Sequence, residues 1–241
     1  MAYTLYYWPG LQGRGEFVRL ALEEAGAEYR DVAKDSDEET AAALVMEQMA
    51  PAGLATPPFA PPYLVDGKLV IGQTSAILLH LGAKHGLAPK SENGRLWVHQ
   101  IQLTIADMVT EAHDTHHPIA SSLYYEDQKA EAVKRAADFR KTRIPKYLAW
   151  FEDVLTRNPK GPRFLVGARL SYADLSLFQL VSGLSYAFPK AMAREIEKAP
   201  KVAALAEMVA QRPRVAAYLA SDRRIPFNEY GIFRHYPALD G

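Results

Sequence analysis

The chain contains no cysteine among its 241 residues. That excludes disulfides, thiolate metal sites and any protein thiol acting as nucleophile or redox partner, and it fits a reducing compartment. No sign of charge dominates: 28 Lys and Arg balance 28 Asp and Glu, without a long run of either. A phosphate-tracking surface and an acidic tail are therefore not expected, and neither is a nucleic-acid partner. Arg223-Arg224 reads as solvated charge at a helix end. No stretch approaches the roughly 18 apolar residues that span a bilayer, and Glu16 and Arg19 interrupt the N-terminus before a leader pattern forms. These absences predict a soluble, cytoplasmic protein without a membrane partner. Serine is missing before Ser36, so the first strand–turn–helix unit has neither a thiol nor a serine hydroxyl to offer.

The composition is that of a globular protein, 49% hydrophobic and 23% charged, long enough for one large domain or two small ones in close contact. Residues 2–8 alternate, with Tyr3, Leu5 and Tyr7 on one face and Thr4, Tyr6 and Trp8 on the other. After the Gly10–Gly15 turn, Phe17, Leu20, Ala21 and Ala25 form a helical stripe that Gly26 stops. A short strand is predicted over Tyr29–Ala33 and a helix over Asp37–Met49, a mobile loop being its rival. The proline-rich stretch 51–62 leads into a hairpin, Tyr63–Val65 and Leu69–Ile71, joined at Asp66-Gly67. A helix follows from Thr74 to His85, stopped by Gly86. From Ser91 onward the pattern is helical throughout, over 92–118, 126–157, 172–187, 200–211 and 213–221. The predicted architecture is an α/β layer of βαβαββα order at 1–85, followed by an all-α helical bundle at 92–241.

Several constellations could carry chemistry. Tyr7 ends the first strand just before the turn, where a phenol can donate a hydrogen bond to a bound thiol and favour its thiolate; the alternative is an aromatic packing inward. Pro61-Pro62 before a strand suits a cis bond that turns the preceding backbone N–H and C=O toward an extended peptide, or else a rigid linker. Gln73-Thr74-Ser75 opens a helix whose free amides suit a carboxylate, unless Thr74 or Ser75 is a plain N-cap. Ser171 and Asp174 read as a capping box, with Leu170 and Leu175 as its staple, and so as folding residues. His113, His116 and His117 invite a metal reading, and His113 and His117 stand a helical turn apart, but no carboxylate pattern accompanies them; the polar wall of a pocket or a plain helix face is the expectation, and no metal site is predicted. Phe227, Tyr230, Phe233 and Tyr236 must cover either the protein's own core or a ligand pocket.

Together these pieces resemble the cytosolic glutathione transferases of the tyrosine type, which include the pi, mu, alpha and sigma classes. The marks are Tyr7-Trp8-Pro9 with Gly13-Arg14-Gly15-Glu16 and Arg19, Pro62-Tyr63-Leu64-Val65-Asp66-Gly67, Gln73-Thr74-Ser75-Ala76-Ile77, and Phe164-Leu165-Val166-Gly167 before Ser171-Tyr172-Ala173-Asp174-Leu175. The resemblance covers nearly the whole chain. It implies a thioredoxin-like domain that binds glutathione as co-substrate and a helical domain that holds a hydrophobic electrophile. Tyr7 resembles the residue that activates the thiol. Trp8 and Arg14 resemble residues that line the site, Pro61 and Pro62 those that meet the cysteinyl unit, and Gln73 and Thr74 those that hold the γ-glutamyl group. A homodimer is implied, with Asp114 as the acid that reaches the partner's glutathione amine. The electrophile would lie against Trp8, Leu11, the 108–117 helix face and the aromatic tail. Two departures stand out: the turn from Pro9 to Arg14 is about one residue longer than the common loop, and between Asp35 and Ala60 there is no Trp or Lys to meet the glycyl carboxylate. The alternatives are a glutathione-dependent isomerase or peroxidase, and a non-catalytic binding relative.

Overall fold

The computed structural model describes residues 2–35, 37–49, 51 and 53–241. Its first layer is a four-stranded sheet in the order β2-β1-β3-β4. Strand β1 (Tyr3–Tyr6) runs parallel to β2 (Tyr29–Asp31) and antiparallel to β3 (Tyr63–Asp66), which pairs in turn with β4 (Leu69–Gly72). Alternation decides the faces. Tyr3 and Leu5 enter the main core, while Tyr6 stacks on Tyr63 at 4.6 Å on the opposite side. Helix α1 (Gly15–Ala25) covers the main-core face and ends in a left-handed Gly26, φ 63°, a conformation that costs glycine little.

Strand β2 is shorter than the predicted Tyr29–Ala33. The Asp31 carboxylate accepts from Ala33 N at 3.2 Å and turns the chain into a short helix, α2 (Val32–Asp35). The segment after it is helical, α3 (Glu38–Met49), with Asp37 accepting from Thr40 N at 2.9 Å. Helix α4 (Thr74–His85) completes the layer and ends at Gly86, as its sequence predicts.

The remaining elements form the helical layer. Helix α5 (Glu92–Asp114) is capped by Ser91, whose Oγ accepts from Gly94 N at 3.3 Å. It stops four residues before the predicted 118, because Thr115 Oγ1 donates to Ala112 O at 2.7 Å and closes the last turn. The predicted helix 126–157 is three pieces after a 3-10 turn: α6 (Lys129–Asp138), a π turn (Phe139–Arg143) and α7 (Ile144–Arg157). Pro145 has no N–H to give the preceding turn, and the wider π turn absorbs the missing bond. Helix α8 (Tyr172–Ala187) is buried almost all round and packs against α1, α5 and α10 (Pro200–Ala210). Its capping box is formed as predicted, Ser171 N and Oγ both donating to Asp174 Oδ2 at 2.7 Å. The sequence pattern did not indicate α9 (Pro189–Ile196) or α12 (Pro237–Asp240), both short; α11 (Pro213–Leu219) lies where a helix is predicted.

Candidate active site

The strand registers bring the predicted residues to one end of the sheet. Tyr6 pairs with Tyr63, and Tyr63 with Gly72. One residue further along each strand stand Tyr7, Pro62 and Gln73, in a row across β1, β3 and β4.

Tyr7 is 5% exposed. Its ring is enclosed by the turn before α1: a Cβ placed on Gly15 would lie 2.7 Å from Tyr7 Cγ, and one on Gly13 would meet the ring and its hydroxyl. The hydroxyl accepts a hydrogen bond from Arg14 N at 2.9 Å, so its own proton is free to be donated outward. Burial pushes the phenol above its ordinary value, while the Arg14 amide and the Arg14 and Arg19 guanidinium charges pull against that shift. Tyr7 is a neutral donor at physiological pH, not a base. Tyr6, on the other face, lies with Tyr63 in the small cluster of Val32, Ala41 and Val45.

The Pro61–Pro62 bond is cis. One expectation needs correcting. The residue before the bond is itself a proline, so it offers an extended ligand a carbonyl but no N–H, and strand-like pairing there is one-sided. Gln73 occupies the N-cap position of α4 with φ 64° and ψ 119°, the sole non-glycine residue of positive φ among the described residues, and makes no capping bond. Such a backbone costs of order 1–3 kcal/mol. Neither Thr74 nor Ser75 is the N-cap, which corrects the plain reading of that motif. Thr74 Oγ1 donates instead to Arg14 O at 3.4 Å. The uncapped first turn of α4 keeps amides that an anion can use.

Arg14 joins the two layers. Its Nη2 donates to Thr110 Oγ1 on α5 at 3.3 Å. With Gln73, Thr74, Ser75, Gln102 and Val109 it lines a small cleft between α4 and α5. Trp8 lies away from this cleft, against the Val45–Tyr63 cluster. Asp114 ends α5 and meets His113 Nδ1 at 3.2 Å; no contact joins it to Tyr7 or Gln73 of the same chain. The aromatic tail mostly covers the protein's own helices. Phe233 is buried over Gly183 on α8, Phe227 stacks on Tyr186 at 4.8 Å, Tyr236 stacks on Tyr125 at 3.9 Å, and Tyr230 is exposed.

What sequence reasoning missed here is long-range. Gln12 Nε2 donates to Ile225 O at 2.5 Å, Gln12 Oε1 accepts from Gln179 Nε2 at 2.8 Å, and Asn228 Nδ2 donates to Gly10 O at 2.8 Å. The segment before the tail thus laces down the turn that holds Tyr7. No local pattern announces contacts across some 170 to 220 residues.

Residues 1–83 match the family description "Glutathione S-transferase, N-terminal domain", and residues 113–222 match "Glutathione S-transferase, C-terminal domain". The chain belongs to the glutathione S-transferase family. It is similar to glutathione S-transferase P of Bos taurus, 28% identical over 95% of this chain and 98% of that protein. It is also similar to glutathione S-transferase P 1 of Xenopus laevis, 26% identical over 92% and 93%. Among solved structures, a pi-class glutathione S-transferase of Onchocerca volvulus superposes with a TM-score of 0.68 at 22% identity, covering 91% of this chain and 92% of that one. Prostaglandin synthase D of Nilaparvata lugens does so at 0.71 and 21%, covering 94% and 100%. These two show a shared fold of sheet layer and helical layer. No helix among the described residues is long and apolar enough to cross a membrane.

Proposed function

We propose that the chain is a glutathione transferase in which Tyr7 holds the glutathione sulfur as its thiolate. The observation that carries this is the Tyr7 hydroxyl, already accepting from Arg14 N at 2.9 Å and therefore left with one proton to give. A hydrogen bond to a charged partner contributes about 1.5–3 kcal/mol, enough to lower a thiol of ordinary value near 8.5 by about one to two pH units. The thiolate attacks the electrophilic atom of an apolar substrate. A sulfur–carbon bond forms, and the leaving group departs with its electron pair, or in an addition the adjacent carbon takes up a proton. Holding both reactants side by side supplies much of the rate.

In this reading residues 1–85 bind glutathione and residues 92–241 complete the electrophile pocket. The α4 amides with Gln73 and Thr74 take the γ-glutamyl carboxylate, and Pro61 O meets the cysteinyl amide beside Pro62. Arg14 closes the site from the side of α5. Trp8, packed against the Val45–Tyr63 cluster, supports the loop that follows β1. The absence of cysteine fits a cytosolic enzyme.

The test is an ultraviolet titration of bound glutathione across pH, with Tyr7→Phe alongside. The parent should ionise its bound thiol about one to two pH units below the free thiol, and the variant should lose that shift and most of the conjugation rate. An unchanged rate in Tyr7→Phe would sink the mechanism.

A homodimer accompanies this reading. Phe59 is 91% exposed, and Leu96 and Leu103, seven residues apart on α5, are 62% and 48% exposed. Exposed apolar side chains of that size suit an interface, and Asp114 of one subunit then faces the glutathione of the other. Light scattering should give twice the chain mass, falling toward the monomer in Phe59→Glu; a monomeric parent would refute the assembly.

A further inference from the structure

We propose that His113, His116 and His117 form a binding site for a first-row divalent metal of the imidazole-preferring kind, Zn²⁺, Co²⁺ or Ni²⁺. Helix α5 ends at Asp114, and the turn that follows folds His116 and His117 back toward His113. One ring nitrogen from each of the three lies within 4.8 Å of the other two. A tetrahedral zinc with Zn–N of about 2.0–2.1 Å spaces its ligands about 3.3 Å apart, so small side-chain rotations close the site.

The second nitrogens are held as metal-bound histidines hold theirs. His116 Nε2 faces Ile232 O at 2.8 Å; a carbonyl only accepts, so that nitrogen carries the proton and Nδ1 keeps a lone pair. His113 Nδ1 faces the Asp114 carboxylate at 3.2 Å, which leaves Nε2 bare. A backbone carbonyl and a carboxylate behind the ligating imidazoles are the usual orienting partners of a metal site. His116 Nδ1 in turn points at His117 Nδ1, 2.5 Å away.

A donor count shows the same need. Three neutral imidazoles carry three N–H groups and three lone pairs. Two of the N–H groups go to Ile232 and Asp114, so a single N–H is left for three ring lone pairs, and a cation answers that surplus. The charges that oppose a cation here are Arg234, which acts on all three rings, and Arg14, which acts on His113. Arg234 lines the cleft beside His117 together with Tyr124, Glu126 and Glu229. The fourth position of the metal opens to that cleft, where water or an anionic donor can bind next to Arg234. Imidazole donors favour this class of ion over Mg²⁺ or Ca²⁺.

The experiment titrates CoCl₂ and ZnCl₂ into untagged full-length protein stripped of glutathione, read by visible absorption and calorimetry. With no cysteine in the chain, cobalt bands report nitrogen and oxygen ligands alone. One equivalent should bind, producing the visible bands of four-coordinate cobalt and raising the melting temperature. His117→Ala, and separately His113→Ala, should each weaken binding by at least tenfold, while the ion-free melting curve and circular dichroism stay close to the parent's. Asp114→Asn should weaken it by about 10-fold or more. Absence of binding at submillimolar metal, or equal affinity in folded His113→Ala, would overturn the site.

Discussion

Two of the buried carboxylates, Asp174 and Glu16, are held in place by opposite means. Asp174 at the start of α8 makes no salt bridge among the described residues. It accepts from Leu165 N at 2.7 Å and from Ser171 N and Oγ, also at 2.7 Å, all donors within ten residues. Glu16 on α1 draws partners both from its own helix and from far along the chain. Arg19 lies 3.6 Å away and is itself paired with Asp31 at 2.6 Å, Tyr218 donates at 3.0 Å, and Arg224 stands 3.4 Å from Oε1. Even so, Glu16 Oε1 accepts no hydrogen bond among the described residues. Burial pushes both carboxyls up. The contrast separates two uses of a buried charge. A locally satisfied carboxylate fixes one turn, whereas a carboxylate fed by distant cations fastens the sheet layer to the helical layer, where Glu23–Arg223 and Glu24–Arg212 pairs extend the same seam.

Breaking the long-range network should have the largest effect. Arg19→Met leaves Glu16 and Asp31 facing each other without their shared cation, and removing one partner of a buried pair costs about 3–5 kcal/mol. Urea unfolding measures it, and a loss under about 1 kcal/mol would mean that Arg224 and Tyr218 suffice. The next effect is a pH dependence at Asp174. Its folded carboxyl sits at about 6 against an ordinary 3.8, so the folded state keeps the proton to higher pH than the unfolded chain. Stability from this group is therefore full below about 3.8 and declines as pH rises toward about 6, by about 3 kcal/mol at most. The deficit of Asp174→Asn relative to the parent should shrink over that window; a deficit that widens would reverse the sign. The smallest effect belongs to Ser171→Ala, which removes a cap and should cost about 1 kcal/mol, read as a lowered melting temperature with unchanged glutathione binding.

The same contrast explains what the sequence made legible. Asp174 and Ser171 stand three apart, and the capping box could be read at sight. Tyr7 and Tyr6 were told apart by alternation, because adjacent strand residues face opposite ways. Gly26, Gly86 and Gly67 marked two helix ends and a hairpin at the expected places. What could not be read was assembled across the chain: Glu16 with Arg224, Gln12 with Ile225, Arg14 with Thr110. The positive φ of Gln73 was hidden because glutamine carries no signal for it; the neighbouring strand and helix impose it. The π turn before Pro145 was hidden in the same way, since a hydrophobic stripe does not show where one backbone bond is missing. The three histidines were visible in the sequence, but a helix expected to continue to 118 spreads them around its surface; the turn after Asp114 is what brings His116 and His117 beside His113.

The glycines around Tyr7 carry an implication for how this site can change over generations. With Gly13 and Gly15 pressed against the ring, position 7 is a slot cut to one side chain. A serine there would leave the volume of an aromatic ring empty, and refilling it would require side chains at 13 and 15, where the chain has none. Gly13 adds a left-handed backbone, φ 44°. A lineage that exchanged the phenol for a smaller hydroxyl would thus need three coordinated substitutions, each harmful alone. Geometry preserves the choice of tyrosine as firmly as its chemistry does.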